Sequence, residues 1–317
     1  MFVNKDILTI VSRKSRLALK QADLVKQQLN IFYPQLKIEI IGISTSGDEI
    51  LDQPLMKIGG KGLFVNELEK YLLQNKADMA VHSMKDLPAS LADGLIVTAI
   101  LPRADSRDVL VSIDFASINQ LPPGSIVGTS SLRRQAQLLA IRPDISITSL
   151  RGNVDTRLEY LISGKYSAII LAAAGLERLG LTTWIKHTFT WQEMLPAVGQ
   201  GALGIEIKAD NTQLQELLRP LHDWQTAACV QAERAMNAIL DGGCQAPIAG
   251  FASIKNQLIT LRGLVAEPDG KIMLRAVQSS ALENIMELGR RVADDLLAQG
   301  AAKIISKLKT EWQGNGW

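Results

Sequence analysis

Two groups of residues in this sequence have the types and spacing for chemistry. One is a lone cysteine on a glycine-rich turn; the other is a series of arginines that recur after apolar runs. Cys244 lies in LDGGCQAPIAG, residues 240–250. Gly242 and Gly243 are expected to stop the helical run before it, because glycine takes the left-handed cap at low cost. Pro247 then forbids its resumption. The sulfur would sit on a low-bulk loop that a large group can approach. Free cysteines are more often small buried residues, and this window alone leaves both readings open.

The arginines follow strand-like segments in order. Arg13 follows ILTIVS, Arg133 and Arg134 follow SIVGTSS, Arg151 follows ISITSL, Arg157 closes RGNVDTR, and Arg178 follows AIILAAAGLE. Arginine suits sites that hold carboxylates or phosphates through two parallel hydrogen bonds. The cluster Arg13-Lys14-Ser15-Arg16 precedes LALKQADLVKQQL, so cations stand at a helix N-terminus that the dipole disfavours. A bound anion would resolve that conflict; an exposed basic turn is the alternative. Arginines on successive strand ends point to a cleft for several anions, at the carboxyl edge where open α/β sheets bind ligands. In DMAVHSMKDLP a strand runs into Ser83, Lys85 and Asp86, and Pro88 ends it. Asp86 is the general acid/base candidate, against the alternative of an inert surface Lys–Asp pair.

These residues need a scaffold of two similar lobes. SIVGTSSLRRQAQLL repeats the order of TIVSRKSRLALKQADL: strand, hydroxyls, cations, Ala/Leu helix. LLQNKADMAVHS and LISGKYSAIILA are a second echo. Lobe 1 is expected over residues 1–101 with 199–220, and lobe 2 over 105–195. LPAVGQGALGIEI would return the chain to lobe 1, so two crossovers form a hinge. Thr45–Gly62 reads as a long loop of the kind that serves as a lid, carrying Lys57 and Lys61; its GGKG lacks phosphate-loop spacing. Helices are expected over Leu63–Asn75, Leu214–Leu240 and Ala281–Gln299. Three strands after the cysteine, with Asp269-Gly270 as a hairpin turn, make a small α+β domain over 223–317. The fold class is therefore α/β, two lobes plus a small α+β C-terminal domain.

Composition narrows the function. The chain has 317 residues, 47% of them hydrophobic, and a formal charge of +2. Nothing global suggests nucleic acid or an anionic membrane, and no apolar run is long enough for a bilayer span. The first residues break their apolar run with charges too early for an export signal. Two cysteines and three widely spaced histidines argue for a reducing cytoplasm and against a metal site. The modest charge and the lack of a coiled-coil seam lean towards a monomer.

At this point the chain resembles the porphobilinogen deaminases, or hydroxymethylbilane synthases. VSRKSRLALKQA, KGLFVNELE, AVHSMKDLP, GTSSLRRQAQL, LRGNVDTRL, AAAGLERLG, LPAVGQGALGIE and GGCQAPIAG occur in that family's order across nearly the whole length. The resemblance implies two lobes like those of periplasmic binding proteins. It implies an enzyme of tetrapyrrole biosynthesis (haem or sirohaem type) that condenses four porphobilinogens into hydroxymethylbilane and releases ammonia. The product would pass to the next tetrapyrrole enzyme. It implies a dipyrromethane cofactor joined by a thioether to Cys244, and Asp86 as the catalytic carboxylate. Ser83, Lys85, Asp86, Thr129, Ser131, Arg133 and Arg134 would bind the cofactor. Arg13, Ser15, Arg151, Arg157, Arg178 and Gln200 would bind substrate and growing chain, under a lid with Lys57 and Lys61. Residues 307–317 lie beyond the resemblance.

Other readings remain from the residues themselves. A two-lobed anion receptor or the effector-binding part of a regulator would share the lobes, but neither explains the domain entered through GGC. A cysteine hydrolase would need a histidine beside Cys244.

Overall fold

A computed structural model describes residues 7–49, 62, 65–88, 90–240 and 246–314. The expected lid with Lys57 and Lys61, and the turn with Gly242, Gly243 and Cys244, lie outside the described residues.

Lobe 1 is built from β1 (Ile7–Arg13), α1 (Arg16–Phe32), β2 (Lys37–Ile43), the short α2 (Ser46–Glu49), α3 (Asn66–Leu73), β3 (Met79–Ser83) and β4 (Leu95–Ile100). Lobe 2 contains β5 (Asp108–Val111), β6 (Ile126–Gly128), α4 (Leu132–Ile141), β7 (Ser146–Thr148), α5 (Val154–Ile162), β8 (Ala168–Ala172), α6 (Ala173–Leu179) and β9 (Ile185–Thr188). The chain then returns through β10 (Leu203–Lys208) and α7 (Thr212–Leu218).

The two sheets have one plan. Lobe 1 has the order β2-β1-β3-β10-β4 and lobe 2 has β7-β6-β8-β5-β9. In each, three parallel strands are followed by one antiparallel strand that the chain enters directly from a crossover, β10 in one and β5 in the other. β1 buries Leu8, Ile10 and Val11 because strands covered on both faces carry unbroken apolar runs.

Both sequence echoes are geometric repeats. Ser15 caps α1 by accepting from Ala18 N at 3.3 Å, and Ser131 caps α4 by accepting from Arg134 N at 3.4 Å. After α3 and α5 the chain reverses at Asn75 (φ 55°) and Gly164 (φ 74°). Lys76 then lies over the Tyr71 ring and Lys165 over Tyr160, with the ammonium 5.6 and 4.6 Å from the ring centres.

The C-terminal domain has α8 (Trp224–Ile239), an antiparallel sheet of β11 (Ile248–Lys255), β12 (Leu258–Ala266) and β13 (Met273–Ala281), α9 (Ile285–Ala298) and α10 (Ala301–Gly314). Met236, Leu261, Val265, Leu288, Val292 and Leu296 form its core. The helix expected over Leu214–Leu240 is two helices. Pro220 supplies no N–H for a continuous ladder, and Asp223 starts α8 afresh by accepting from Thr226 N at 2.8 Å. β13 runs to Ala281, so α9 begins four residues later than expected. Ala301, Ile304, Ile305 and Leu308 are buried along α10 in the same core, and Leu308 gives a packing role to part of the stretch 307–317 that lies beyond the resemblance.

One carboxylate ties the parts together. Buried Glu233 of α8 accepts from Arg103 Nη1 at 2.6 Å and Nη2 at 3.1 Å. It also accepts from Gly199 N at 2.7 Å and from Ala252 N of β11 at 2.8 Å. Arg103 and Gly199 belong to the two crossovers, which hydrogen-bond to each other through Ala104 N and Gly201 O at 3.2 Å. Gly201 has φ +90°, and a Cβ there would lie 2.5 Å from Ala104 O, so only glycine allows the approach. Glu233→Gln is expected to lower unfolding free energy by about 3–5 kcal/mol, the cost of breaking a buried pair. Urea unfolding checks this, and a loss below about 1 kcal/mol would contradict it.

Among the described residues no helix is long and apolar enough to cross a membrane, and no group of three or more His, Cys, Asp or Glu is placed to hold a metal ion.

Candidate functional site

The site lies where the carboxyl ends of the parallel strands in the two lobes face each other. β1 ends at Arg13, and β3 ends at Ser83 with Lys85 and Asp86 in the turn beyond. Asp86 N donates to Ser83 O at 2.9 Å, and Ser83 Oγ accepts from Gln21 Nε2 at 3.1 Å. From lobe 2, Thr129 and Ser131 follow β6, Arg133 and Arg134 fill the first turn of α4, Arg151 follows β7, and Arg157 lies in α5. Thr129 is buried; its Oγ1 accepts from Ser131 N at 3.2 Å.

The electrostatics show which of these meet. Burial pushes the Arg157 guanidinium down to about 10; Arg134, Arg151 and Arg13 push the same way, and Asp86 opposes them. Burial pushes the Lys85 ammonium down to about 8, with Asp86 and Asp108 pulling it up and Arg134 and Arg133 pressing it down. Asp86, Lys85, Arg13, Arg134, Arg151 and Arg157 therefore share one basin of mostly positive potential, drawn from both lobes. Burial also lowers Arg151 and Arg178. Arg178 is turned to the hinge, where its Nη2 donates to Gly201 O at 2.7 Å. Arg16 is engaged within the protein: its Nη1 meets Asp155 of α5 at 2.8 Å, an exposed ion pair between the two lobes.

Arg133 and Arg134 carry a second duty that strand-end reasoning missed. Both are buried, at 4% and 7% exposure, against fully buried Asp108. Arg133 Nη1 reaches Asp108 Oδ2 and Leu195 O at 2.7 Å each. Arg134 reaches Asp108 Oδ1 through Nε at 3.0 Å and Nη2 at 2.7 Å, and Ile170 O through Nη1 at 2.9 Å. Burial alone would raise the Asp108 carboxyl, but the two guanidiniums outweigh it and hold it well below the usual carboxylate range. The two cations at the start of α4 are thus half-compensated from within, and one positive charge of the three-residue cluster is left over. The available signal was the acid that opens the VLV strand in PRADSRDVLVS.

Gln200 completes this floor. Its Nε2 donates to Ser106 O at 2.7 Å and to Asp108 Oδ1 at 3.0 Å. Its Oε1 is buried and has no hydrogen-bond partner among the described residues. A buried acceptor without a donor is costly, and a pyrrole N–H is a donor of the right kind. That acceptor, together with the cations of the basin, fits a ligand with N–H groups and carboxylate arms, and so fits a dipyrromethane.

The three histidines have partners of their own. Buried His82 Nε2 is 2.9 Å from Glu206 Oε2, His187 is 3.4 Å from Glu193 Oε1, and His222 Nδ1 accepts from Ile100 N at 3.3 Å. Cys229, the described cysteine, is buried, and burial pushes its thiol up to about 12, an inert state.

The family model described as "Porphobilinogen deaminase, dipyromethane cofactor binding domain" matches residues 8–216, and "Porphobilinogen deaminase, C-terminal domain" matches residues 227–298. The porphobilinogen deaminase of Chromobacterium violaceum is 50% identical over 306 residues, which are 96% of this chain and 99% of that one. Among solved structures, the methionine-binding protein MetQ is 12% identical with a TM-score of 0.45, covering 75% of this chain and 96% of its own. The Bordetella pertussis BvgS VFT2 domain is 16% identical with a TM-score of 0.42, covering 73% of this chain and 93% of its own. On the two family models and the 50% identical relative, the chain belongs to the porphobilinogen deaminase family.

Proposed function

We propose that this chain polymerises four porphobilinogens head to tail into hydroxymethylbilane, releasing ammonia, and that the chain grows on a dipyrromethane held through a thioether to Cys244. The observation that carries the reading is the basin in which Asp86 is set among Lys85, Arg13, Arg134, Arg151 and Arg157. A substrate with acetate and propionate arms brings the anions those cations need, and bidentate arginine contacts orient it.

The bound dipyrromethane supplies a terminal pyrrole carbon as nucleophile. Asp86 stabilises the positive charge left on a substrate ring as its amine departs, then takes the proton that the new carbon–carbon bond displaces. Gln200 Oε1 accepts a pyrrole N–H. Arg13, Ser15, Arg151, Arg157 and Arg178 hold substrate and growing chain. Ser83, Lys85, Thr129 and Ser131 hold the cofactor, with Arg133 and Arg134 supplying potential whose direction Asp108 fixes. Residues 105–195 thus bind anions, residues 1–101 with 199–220 carry the carboxylate, and 223–317 carry the tether.

Sparse cysteines support a reducing cytoplasm, and a net charge of +2 supports a monomer without nucleic-acid or membrane partners. The hydroxymethylbilane passes to the next tetrapyrrole enzyme. Purified protein supplied with porphobilinogen should release four ammonia molecules per bilane. Substrate bound without ammonia release would support a receptor instead.

A further inference from the structure

Helix α8 grips the segment just past Asp86. Arg234 Nη1 donates to Leu87 O at 3.0 Å, and Nη2 donates to Pro88 O at 2.6 Å. These are the first two carbonyls after the carboxylate. The planar guanidinium takes both at once, which a point charge does not do. On the other side, the turn is closed by Asp86 N on Ser83 O at 2.9 Å.

Packing reinforces the grip. Leu87 is 4% exposed in a cluster with Ala227 and Val230, two further residues of α8. The neighbouring Glu233 anchors the same helix to both crossovers through Arg103 and Gly199. Pro88 disfavours helical backbone at Leu87, which narrows the freedom of the link between Asp86 and the gripped carbonyls. Asp86 is thus held between its own strand and a helix that is itself bolted to the hinge.

We infer that Arg234 is a positioning residue for Asp86: it fixes the carboxylate's place relative to α8 and the hinge without touching substrate. The inference rests on the reading of Asp86 as the charge-managing carboxylate. A displacement of about 1 Å at a reacting group costs on the order of 100-fold in rate.

The test uses full-length holoenzyme with Arg234→Met and Arg234→Lys, each alone and combined with Asp86→Asn, assayed well below the melting point of each variant. Arg234→Met is expected to lower kcat by about 10- to 100-fold while KM moves less than about threefold. Arg234→Lys, which keeps one carbonyl, should recover part of that loss and serves as the test if the methionine variant does not fold. In the Asp86→Asn background, the Arg234 change should cost less than about a further twofold, because nothing remains to be positioned. If Asp86→Asn is slow but both Arg234 variants turn over normally, the inference fails and the Asp86 reading stands. An Arg234 loss that is undiminished beside Asp86→Asn shows action elsewhere and also overturns it. Near-normal turnover of Asp86→Asn removes the reading on which the inference rests.

Discussion

Asp86→Asn is expected to keep a covalent adduct and to lose about 100- to 10,000-fold in kcat, the range that general acid–base catalysis supplies. Asparagine keeps the shape and one acceptor oxygen but removes the charge. In this site the charge matters doubly. Asp86 is the acid that counters Arg134, Arg151 and Arg13 at Arg157, and it also pulls the Lys85 ammonium upward. Its removal leaves a ring of cations facing a substrate ring that must itself become cationic. It should also drop Lys85 further below about 8, so that Lys85 loses its proton nearer neutrality. Carboxylate binding depends on the arginines, so KM should change far less than kcat. Steady-state rates together with intact mass separate the two effects, and near-normal turnover would take Asp86 out of the mechanism.

The second large effect is on the fold. Asp108→Asn should lower unfolding free energy by about 3–5 kcal/mol, because it leaves two buried guanidiniums without their counter-charge. That is a large share of the roughly 5–15 kcal/mol that holds a typical domain together. The pH dependence has a definite sign. The folded carboxyl lies below its ordinary value, so its contribution is present above an unfolded pKa of about 3.9 and is lost as pH falls through the folded value. The gap between wild type and Asp108→Asn should therefore be full at pH 7 and narrow as pH drops below about 4. Denaturant titrations at several pH values read this directly. An equal gap at all pH values would mean that the charge of Asp108 is not what stabilises lobe 2.

What the sequence shows of this molecule follows the range of the interactions. The lobe repeat is legible because its signals are local. Ser15 and Ser131 cap helices three residues away, and Asn75 and Gly164 reverse the chain within one turn. Placing Asp86, Lys85 and the strand-end arginines near one another needs only the rule that parallel strands end on one edge. The α10 helix lies outside the expected elements, although Ala301, Ile304, Ile305 and Leu308 stand at helical spacing. Pro220 and Asp223 carry local signals for the break between α7 and α8, which the expectation of one helix over Leu214–Leu240 passes over.

The hidden parts are long-range pairings of ordinary residues. Glu233 and Arg234 look like the solvated face of QAERAMN, yet their partners lie about 130 and 147 residues away in sequence. Asp108 looks like the first residue of an apolar strand, and nothing local says that Arg133 and Arg134 close on it. Strand-end logic therefore read those two arginines only as ligand groups, whereas each also completes a buried ion cluster within the protein.

The central claim, a primer permanently joined to Cys244, is tested most directly by the intact mass of the purified protein from cells able to make porphobilinogen. Wild type should exceed its sequence mass by two linked pyrroles, before and after turnover, and Cys244→Ser should show the sequence mass alone. A wild-type protein of unmodified mass, or the same added mass on Cys244→Ser, would contradict it.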